Sequence, residues 1–550
     1  MPETVRDLLL AHAASDAPGL AFEDRTWTWQ EYVAAAAARA HLLAADHAAG
    51  PRADQPLHVG VLMENTPEMA MLLGAGAIGG HVTVGVNATR RGEALAADVR
   101  RADCTVLLTD RQHLPLLEGL ELGGIEVVDT DSEDWVRRVA DAPTSTDGFP
   151  EQGAFDTFML IFTSGTSGDP KAVQVSHFMV VVAGTMLAER FSLTGDDVCY
   201  CAMPLFHSNA VVAGYAVAAA AGATLALARK FSASRFIDDV RHHGATYLNY
   251  VGKPLAYVLA TPERPDDADN PLRVAFGNEA SDRDIEQFGK RFDCVVWDGF
   301  GSTENAVVVT RVPETPPGSI GMPHDGVAVY DRATRTECPR AVFDESGRVT
   351  NLDQAVGELV NTTGAGFFSG YYKDDSATAE RMDGGMYWSG DLAYRDAEGY
   401  VYLAGRTADW LRVDGENLAA APIERILLRH PAISQAAVYG VPDPDGVGDQ
   451  LMCALVLRDG ATLEPAELEE FLAAQEDLSA KAWPRWVRIA PALPATATNK
   501  VLKRTLVAEG TGTEDPVWVR GERDRSYARR SEARAAASDV PTVTHLNSVG

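Results

Sequence analysis

Residues 161–172 read IFTSGTSGDPKA: eight Ser, Thr, Gly, Pro or Lys residues behind the apolar run TFMLIF (157–162). The run is strand-like, so the loop is expected at the C-terminal end of a strand, where α/β sheets bind ligands. Gly165 and Gly168 allow backbone N–H groups to turn toward one point. Thr163, Ser164, Thr166 and Ser167 add hydroxyls, and Lys171 closes the loop with a cation. Such a nest suits an anion, and a lysine at its exit suits a polyphosphate. A Walker loop needs Gly-Lys-Ser/Thr in contiguity, but Asp169-Pro170 separate Gly168 from Lys171 and Ala172 follows. A hydrolase elbow needs G-x-S-x-G, and Gly165-Thr166-Ser167-Gly168-Asp169 lacks its last glycine. Taken alone, the stretch also reads as a flexible linker.

Working outward, apolar strands alternate with helical segments up to about residue 405. HVGVLM (58–63) precedes TPEMAMLLGAGAIGG, CTVLLTD (104–110) precedes a helical reading of RQHLPLLEGL, and ATYLNYV (245–251) precedes GKPLAYVLA. That rhythm predicts α/β layers with mostly parallel sheets. After Gly405-Arg406 it restarts on a smaller scale: helix APIERILLRH, strands AISQAAVYGV and QLMCALVL, helix EPAELEEFLAAQ. The fold class is therefore α/β, a large N-terminal domain over 1–405 of layered sheets and helices, with a small mobile α+β C-terminal domain over 410–510. A hinge is placed at 406–409. Residues 511–550 form a tail, with six arginines against three acids between 520 and 534, expected to be solvated or docked on the acidic body. No internal repeats appear.

The bulk numbers agree with this and narrow the function classes. A chain of 550 residues is too long for one core, and 46% hydrophobic with 23% charged residues is globular composition. A net charge of −30 argues against nucleic acid. The six cysteines show no C-x-x-C pair, so neither a zinc site nor a disulfide framework is expected. The first residues lack the basic start of a signal peptide, and a cytoplasmic location is expected. Residues 210–228, AVVAGYAVAAAAGATLALA, carry no charge, but Ala and Gly dominate and Gly222 breaks the run. A buried helix and strand are predicted there, with no transmembrane segment.

Two further stretches add chemistry to the loop. WDGFGSTEN (297–305) follows the strand-like CVVW and delivers Phe300, Thr303 and Glu304 to one turn. A carboxylate near a polyphosphate is what Mg²⁺ requires. YWSGDLAYRDAEGYVYLAGR (387–406) places Asp391 in an expected tight turn ahead of a hairpin ending in Arg406, and an acid suits ribose hydroxyls.

Taken in order, FTSGTSGDPKA, PLFHSNA (204–210), AFGNE (275–279), FGSTEN, YWSGDL, GRTADWLRVDGENL (405–418) and TNKVLKRTL (498–506) resemble the acyl-adenylate-forming superfamily over roughly residues 20–510. RKFSASRFIDDVRHHGATYLNYVG and DGENL are similar to the fatty-acid transport protein, or very-long-chain acyl-CoA synthetase, branch. The resemblance implies an ATP-dependent ligase that converts a carboxylic acid through acyl-AMP to its coenzyme A thioester, with ATP, Mg²⁺ and coenzyme A as its small molecules. A stand-alone adenylation enzyme loading a carrier protein is the alternative. The resemblance assigns Thr163, Ser164, Gly165, Thr166, Ser167, Gly168 and Lys171 to the phosphates. Thr303 would touch phosphate and Glu304 would hold Mg²⁺. Gly277, Asn278 and Phe300 would border the adenine, with Glu279, Gly301 and Ser302 also at the nucleotide. Asp391 and Arg406 would grip the ribose, and His207 would stand by the carboxylate and acyl tunnel. Lys500 would reach the carboxylate and α-phosphate during adenylation. Arg412, Gly415, Glu416 and Asn417 are candidates on the coenzyme A side. At the hinge, many relatives carry Asp or Lys where this chain has Ala408, and Asp169 replaces a usual apolar residue or Lys. Small residues in NAVVAGYAVAAAAGA leave room for a long or bulky acid, fatty, steroid or terpenoid. The sequence leaves a homodimer and peripheral membrane contact open.

Overall fold

The computed structural model describes residues 2–163, 170–312, 314–345, 347–406, 410–413, 416–442, 449–475, 478, 482–495, 501–521 and 526–530. The chain divides into two compact units, Met1–Ala328 with Val360–Ser389, and Val329–Leu359 with Gly390–Gly550.

The first unit opens on helix α1 (Val5–Leu10), set by a capping box: the Thr4 hydroxyl accepts the Asp7 N–H while the Asp7 carboxylate accepts the Thr4 N–H. A six-stranded sheet runs Glu126–Asp129, Val106–Thr109, His58–Leu62, Val82–Gly85, β1 (Thr157–Thr163), β2 (Lys171–Ser176). It is parallel up to β1, and β2 returns antiparallel. The apolar run behind the loop is thus a central strand: Phe158, Met159, Leu160 and Ile161 are wholly buried. Burial of such side chains is worth about 1.5–3 kcal/mol each, so one charge there would unmake the strand that carries the loop. Helix α2 (His177–Arg190) follows, capped by the Ser176 hydroxyl on the Met179 N–H.

A nine-stranded sheet makes the second layer. Its parallel centre is Pro18–Phe22, Thr224–Leu227, Val198–Cys201, β3 (Tyr247–Val251), β4 (Val274–Asn278) and β5 (Val295–Phe300), with helix α3 (Asp282–Phe292) between the last two. The uncharged run at 210–228 is helix and strand as expected: helical from Ser208 to Ala221, with a π turn at Val211–Tyr215, then Thr224–Leu227, fully buried. Its small residues serve close approach, since a Cβ on Gly184 of α2 would lie 2.7 Å from that of Ala216. No helix among the described residues is long and apolar enough to cross a membrane. The helix expected at RQHLPLLEGL is only a 3₁₀ turn, Leu114–Leu117. Pro115 removes a backbone donor, Gly119 has φ +72°, and the Asp110 carboxylate takes the His113 N–H at 2.9 Å, which favours a turn over helix propagation.

In the second unit, β6 (Met386–Arg395), from Gly390 onward, pairs antiparallel with β7 (Val401–Arg406), and β8 (Trp410–Val413) pairs with β9 (Glu416–Ala419). Helix α4 (Ala420–Leu427) precedes a five-stranded sheet of β10 (Ile433–Pro442), β11 (Asp449–Leu457), β12 (Trp486–Ile489), β13 (Val517–Arg520) and β14 (Tyr527–Arg529). Helices α5 (Pro465–Ala473) and α6 (Lys503–Glu509) belong to the same unit. Within the segment expected as tail, β13 and β14 extend the edge of this sheet, and Trp518 and Tyr527 join its core.

The N-terminal helix depends on a neutral histidine. The Val5 N–H donates to His177 Nδ1 at 3.2 Å, and burial holds the His177 ring down to about 4. Burial does the same to His81, also held down to about 4. An unfolded histidine titrates near 6.5, so the stability from a neutral folded ring is complete above about pH 6.5 and is lost as pH falls toward 4. The loss should approach about 3 kcal/mol for each ring. His177→Gln, which keeps an acceptor for the Val5 N–H, should flatten its share of that slope. Urea midpoints measured between pH 4 and 8 check this.

Candidate active site

The hairpin β1–β2 sets Thr163 directly opposite Lys171, with the loop between them. Ser164, Gly165, Thr166, Ser167 and Gly168 lie outside the described residues. Lys171 is turned inward, its side chain 13% exposed, with Nζ 5.2 Å from the centre of the Tyr371 ring and 3.8 Å from the Glu380 carboxylate. The buried Tyr371 hydroxyl donates to Glu304 Oε1 at 2.8 Å. Burial and the Glu304 charge push the Tyr371 phenol well above its ordinary range, so it remains a donor. The Arg381 guanidinium faces both Tyr371 and Glu304, and it also donates to the Trp388 carbonyl at 3.2 Å. Tyr371 thus links the loop lysine to the candidate magnesium ligand. Neither Tyr371 nor Arg381 was picked out from sequence. Tyr371 lies in FFSGYYK, where no spacing distinguishes it from its aromatic neighbours.

Glu304 follows β5 in a tight turn, Gly301–Ser302–Thr303–Glu304–Asn305, closed by the Asn305 N–H on the Ser302 carbonyl with Asn305 at φ +48°. Thr303 Oγ1 lies 3.1 Å from Ser208 Oγ, and Ser208 begins the helix after His207. The motifs PLFHSNA and GSTEN, ninety-odd residues apart, are therefore in hydrogen-bond contact. Glu304 is 8% exposed. No group of three or more His, Cys, Asp or Glu side chains could cage a metal among the described residues. One carboxylate beside hydroxyl oxygens suits Mg²⁺, which takes one or two carboxylates together with phosphate oxygens and water.

On the next strand, Gly277 lies between Tyr250 of β3 and Asp298 of β5. A Cβ there would be 2.2 Å from the Tyr250 carbonyl oxygen, so only glycine fits. Asn278 donates its amide to the Gly299 carbonyl at 2.9 Å, and Glu279 takes φ +69° as the chain leaves the strand. Phe300 ends β5 one residue beyond Gly299, the partner of Asn278. The C-terminal ends of β4 and β5 thus hold Gly277, Asn278 and Phe300 side by side.

In the second unit, Asp391 is not in a turn as expected. It lies within the ten-residue strand β6, directly opposite Arg406 of β7. The turn signal of Ser-Gly-Asp is met instead by Gly390 alone, at φ +77° with its N–H on Glu358 Oε1 at 2.7 Å. Among the coenzyme A candidates, Arg412 is opposite Asn417 and Val413 opposite Glu416 on β8–β9. Gly415, Ala408 at the expected hinge, and Lys500 lie outside the described residues.

A family model for AMP-binding enzymes matches residues 10–372, and a second, for the AMP-binding enzyme C-terminal domain, matches residues 422–500. The chain belongs to the AMP-binding enzyme family. It is 52% identical over 517 residues to medium/long-chain-fatty-acid–CoA ligase FadD17 of Mycobacterium marinum, covering 94% of this chain and 98% of that one. It is 44% identical over 548 residues to steroid-22-oyl-CoA synthetase of Rhodococcus jostii, covering 98% of each. The fatty-acid transport protein branch appears at lower identity, 31% over 396 residues for long-chain fatty acid transport protein 2 of Rattus norvegicus, covering 68% of this chain and 62% of that one. The fold is shared with ATP-bound MatB from Rhodopseudomonas palustris at a TM-score of 0.79 and 23% identity, over 92% of this chain and 99% of that one.

Proposed function

We propose that this AMP-binding enzyme is an acid–thiol ligase. It activates a hydrophobic carboxylic acid, a medium- or long-chain fatty acid or a steroid side-chain acid, with ATP and hands the acyl group to coenzyme A. The observation that carries the reading is the Lys171–Tyr371–Glu304 cluster at the mouth of the Ser/Thr/Gly loop, joined to His207–Ser208 through Thr303. The substrate class is supported by the relatives at 52% and 44% identity.

A carboxylate is a poor electrophile. One of its oxygens attacks the α-phosphorus of ATP, the bond to the bridging oxygen breaks, and pyrophosphate leaves, giving acyl-AMP. The thiol of coenzyme A then attacks the acyl carbon, AMP departs, and the thiol proton passes to solvent. The first step is mostly positioning and charge neutralisation. Lys171 supplies a fixed cation at the end of the loop, Thr163 and Thr303 supply hydroxyl donors, and Tyr371 holds Glu304 oriented by its hydroxyl. Mg²⁺, held by Glu304, would neutralise phosphate charge. Gly277 leaves a flat wall for the adenine, and Asp391 with Arg406 forms the ribose grip. In this proposal the C-terminal domain turns about 406–409, presenting Lys500 for adenylation and the β8–β9 side for thioester formation.

Incubation with ATP, Mg²⁺, coenzyme A and a panel of fatty and steroid side-chain acids should release AMP and pyrophosphate and yield acyl-CoA. Acyl transfer to a carrier protein and never to coenzyme A would overturn the acceptor.

A further inference from the structure

Beneath the Gly277–Ala280 corner lies a polar pair outside every role assigned above. Asp298, in the middle of β5 and 5% exposed, accepts two hydrogen bonds on Oδ2. One comes from the Tyr250 hydroxyl at 2.8 Å and the other from the Ala280 N–H at 3.1 Å. Tyr250 is itself fully buried, and its ring lies flush on Gly277, whose Cβ position would be 2.6 Å from ring carbons. The Tyr250 carbonyl accepts the Asn209 amide at 3.2 Å, two residues after His207. Ala280 closes the turn Asn278–Glu279–Ala280, strained by Glu279 at φ +69°, just before the Ser281 cap of α3. Such a left-handed residue is held only where its surroundings fix it, and the Asp298–Ala280 bond tethers this turn at its far end, beside the Gly252 N–H on the Asn278 carbonyl at 2.8 Å at its near end.

We propose that Asp298 and Tyr250 are positioning residues that hold the Asn278–Ala280 turn in the shape that receives the adenine. This rests on the reading of Gly277 and Asn278 as the adenine border. Residues that fix the orientation of contacting groups act through them, not on the substrate itself.

The pair also gives the turn a pH dependence. Burial pushes the Asp298 carboxyl up to about 7, against the Ala280 N–H, the Tyr250 hydroxyl and the Arg311 charge, which favour the ionised form, and with the Glu279 charge opposing it. Asp284 adds a further negative charge facing Tyr250. Above that value the carboxylate accepts both bonds at charge-assisted strength. Below it the neutral acid accepts them more weakly, and the turn loosens.

The test compares KM for ATP in pyrophosphate release for the wild type and Asp298→Asn between pH 6 and 8.5. Asn is close to the protonated acid in shape and charge. The ratio of the two KM values should be about fivefold at pH 8.5 and fall toward one at pH 6. Titration of ATP itself is common to both proteins and cancels. KM for the acid and for coenzyme A, and kcat at saturating ATP, should stay within about twofold, the split expected when only nucleotide binding is touched. Tyr250→Phe, which keeps the ring on Gly277, should raise KM for ATP similarly at pH 8.5, and it serves if Asp298→Asn fails to fold. A ratio independent of pH, or KM values rising together for all three substrates, would overturn the inference. Asn278→Ala separates the two levels. If it raises KM for ATP and Asp298→Asn does not, only the positioning role fails. If it leaves KM for ATP unchanged, the adenine reading falls and this inference with it.

Discussion

Lys500→Ala should slow pyrophosphate release by about 10²–10³ while thioester formation from preformed acyl-AMP stays within a few-fold of wild type. Removing one preorganised donor that meets charge only in the transition state typically has that cost, about 2.7–4 kcal/mol. The asymmetry between half-reactions is the informative part, because a residue needed merely for folding would impair both. Lys503 is the control, and the structure sharpens what it should do. Its ammonium lies 2.9 Å from the Glu424 carboxylate, both side chains 18% exposed, and Glu424 also accepts the Val438 N–H at 2.7 Å. Lys503→Ala should therefore lower stability by about 1 kcal/mol, read as a shift of a few degrees in the melting midpoint, with both half-reactions intact. Adenylation within a few-fold of wild type in Lys500→Ala would remove the assignment and the main support for a rotating C-terminal domain.

Ending the chain at Gly510, where the sequence alone places the domain limit, should unfold the C-terminal unit. The deletion removes Trp518, 4% exposed, and Tyr527, 6% exposed, from a core that contains Ile423, Leu451 and Val487. It also takes Asp515 from Arg488, a buried guanidinium held at 2.7 Å by that carboxylate. Loss of one buried Trp costs about 3–5 kcal/mol, against a typical domain stability of about 5–15 kcal/mol. The truncated chain should show a second, lower melting transition and rapid amide exchange over 433–457. Trp518→Ala is the milder version, expected to cost about 3–5 kcal/mol in urea unfolding of that unit. A truncated protein with the full-length unfolding profile would show that β13 and β14 add nothing to the core.

What the sequence made legible follows from how local each signal is. The parallel centre of both sheets could be read because strands buried on two faces are continuous apolar runs, as in Phe158–Ile161. The loop after β1 stands out in the sequence because its glycines free backbone N–H groups and its hydroxyls sit on neighbouring side chains, though residues 164–169 lie outside the described residues. Tyr371 could not be found, since its role exists only once β2 brings Lys171 over its ring and the turn after β5 brings Glu304 to its hydroxyl. Asp298 is a buried acceptor only because three adjacent strands bring the Tyr250 hydroxyl and the Ala280 N–H to it. In 511–530 the arginines read as a solvated or docked tail, whereas the aromatic residues of VWVR and SYAR place the segment in the sheet. At RQHLPLLEGL the leucines suggested a helix that Pro115 and Gly119 interrupt.

The opposition of Asp391 and Arg406 gives the interval between them a mechanical meaning. Both belong to one rung of an antiparallel ladder, and successive residues of a strand face opposite sides. Insertion or deletion of a single residue between 392 and 405 that slid β7 by one place would turn Arg406 to the other face while leaving its identity untouched. The count of residues in this hairpin is thus as much a determinant of the proposed ribose grip as the identities of the two residues themselves. The turn at 396–400 is held by its composition as well: the buried Asp396 carboxylate accepts the Gly399 and Tyr400 N–H groups, each at 2.8 Å, and Gly399 takes φ +101°.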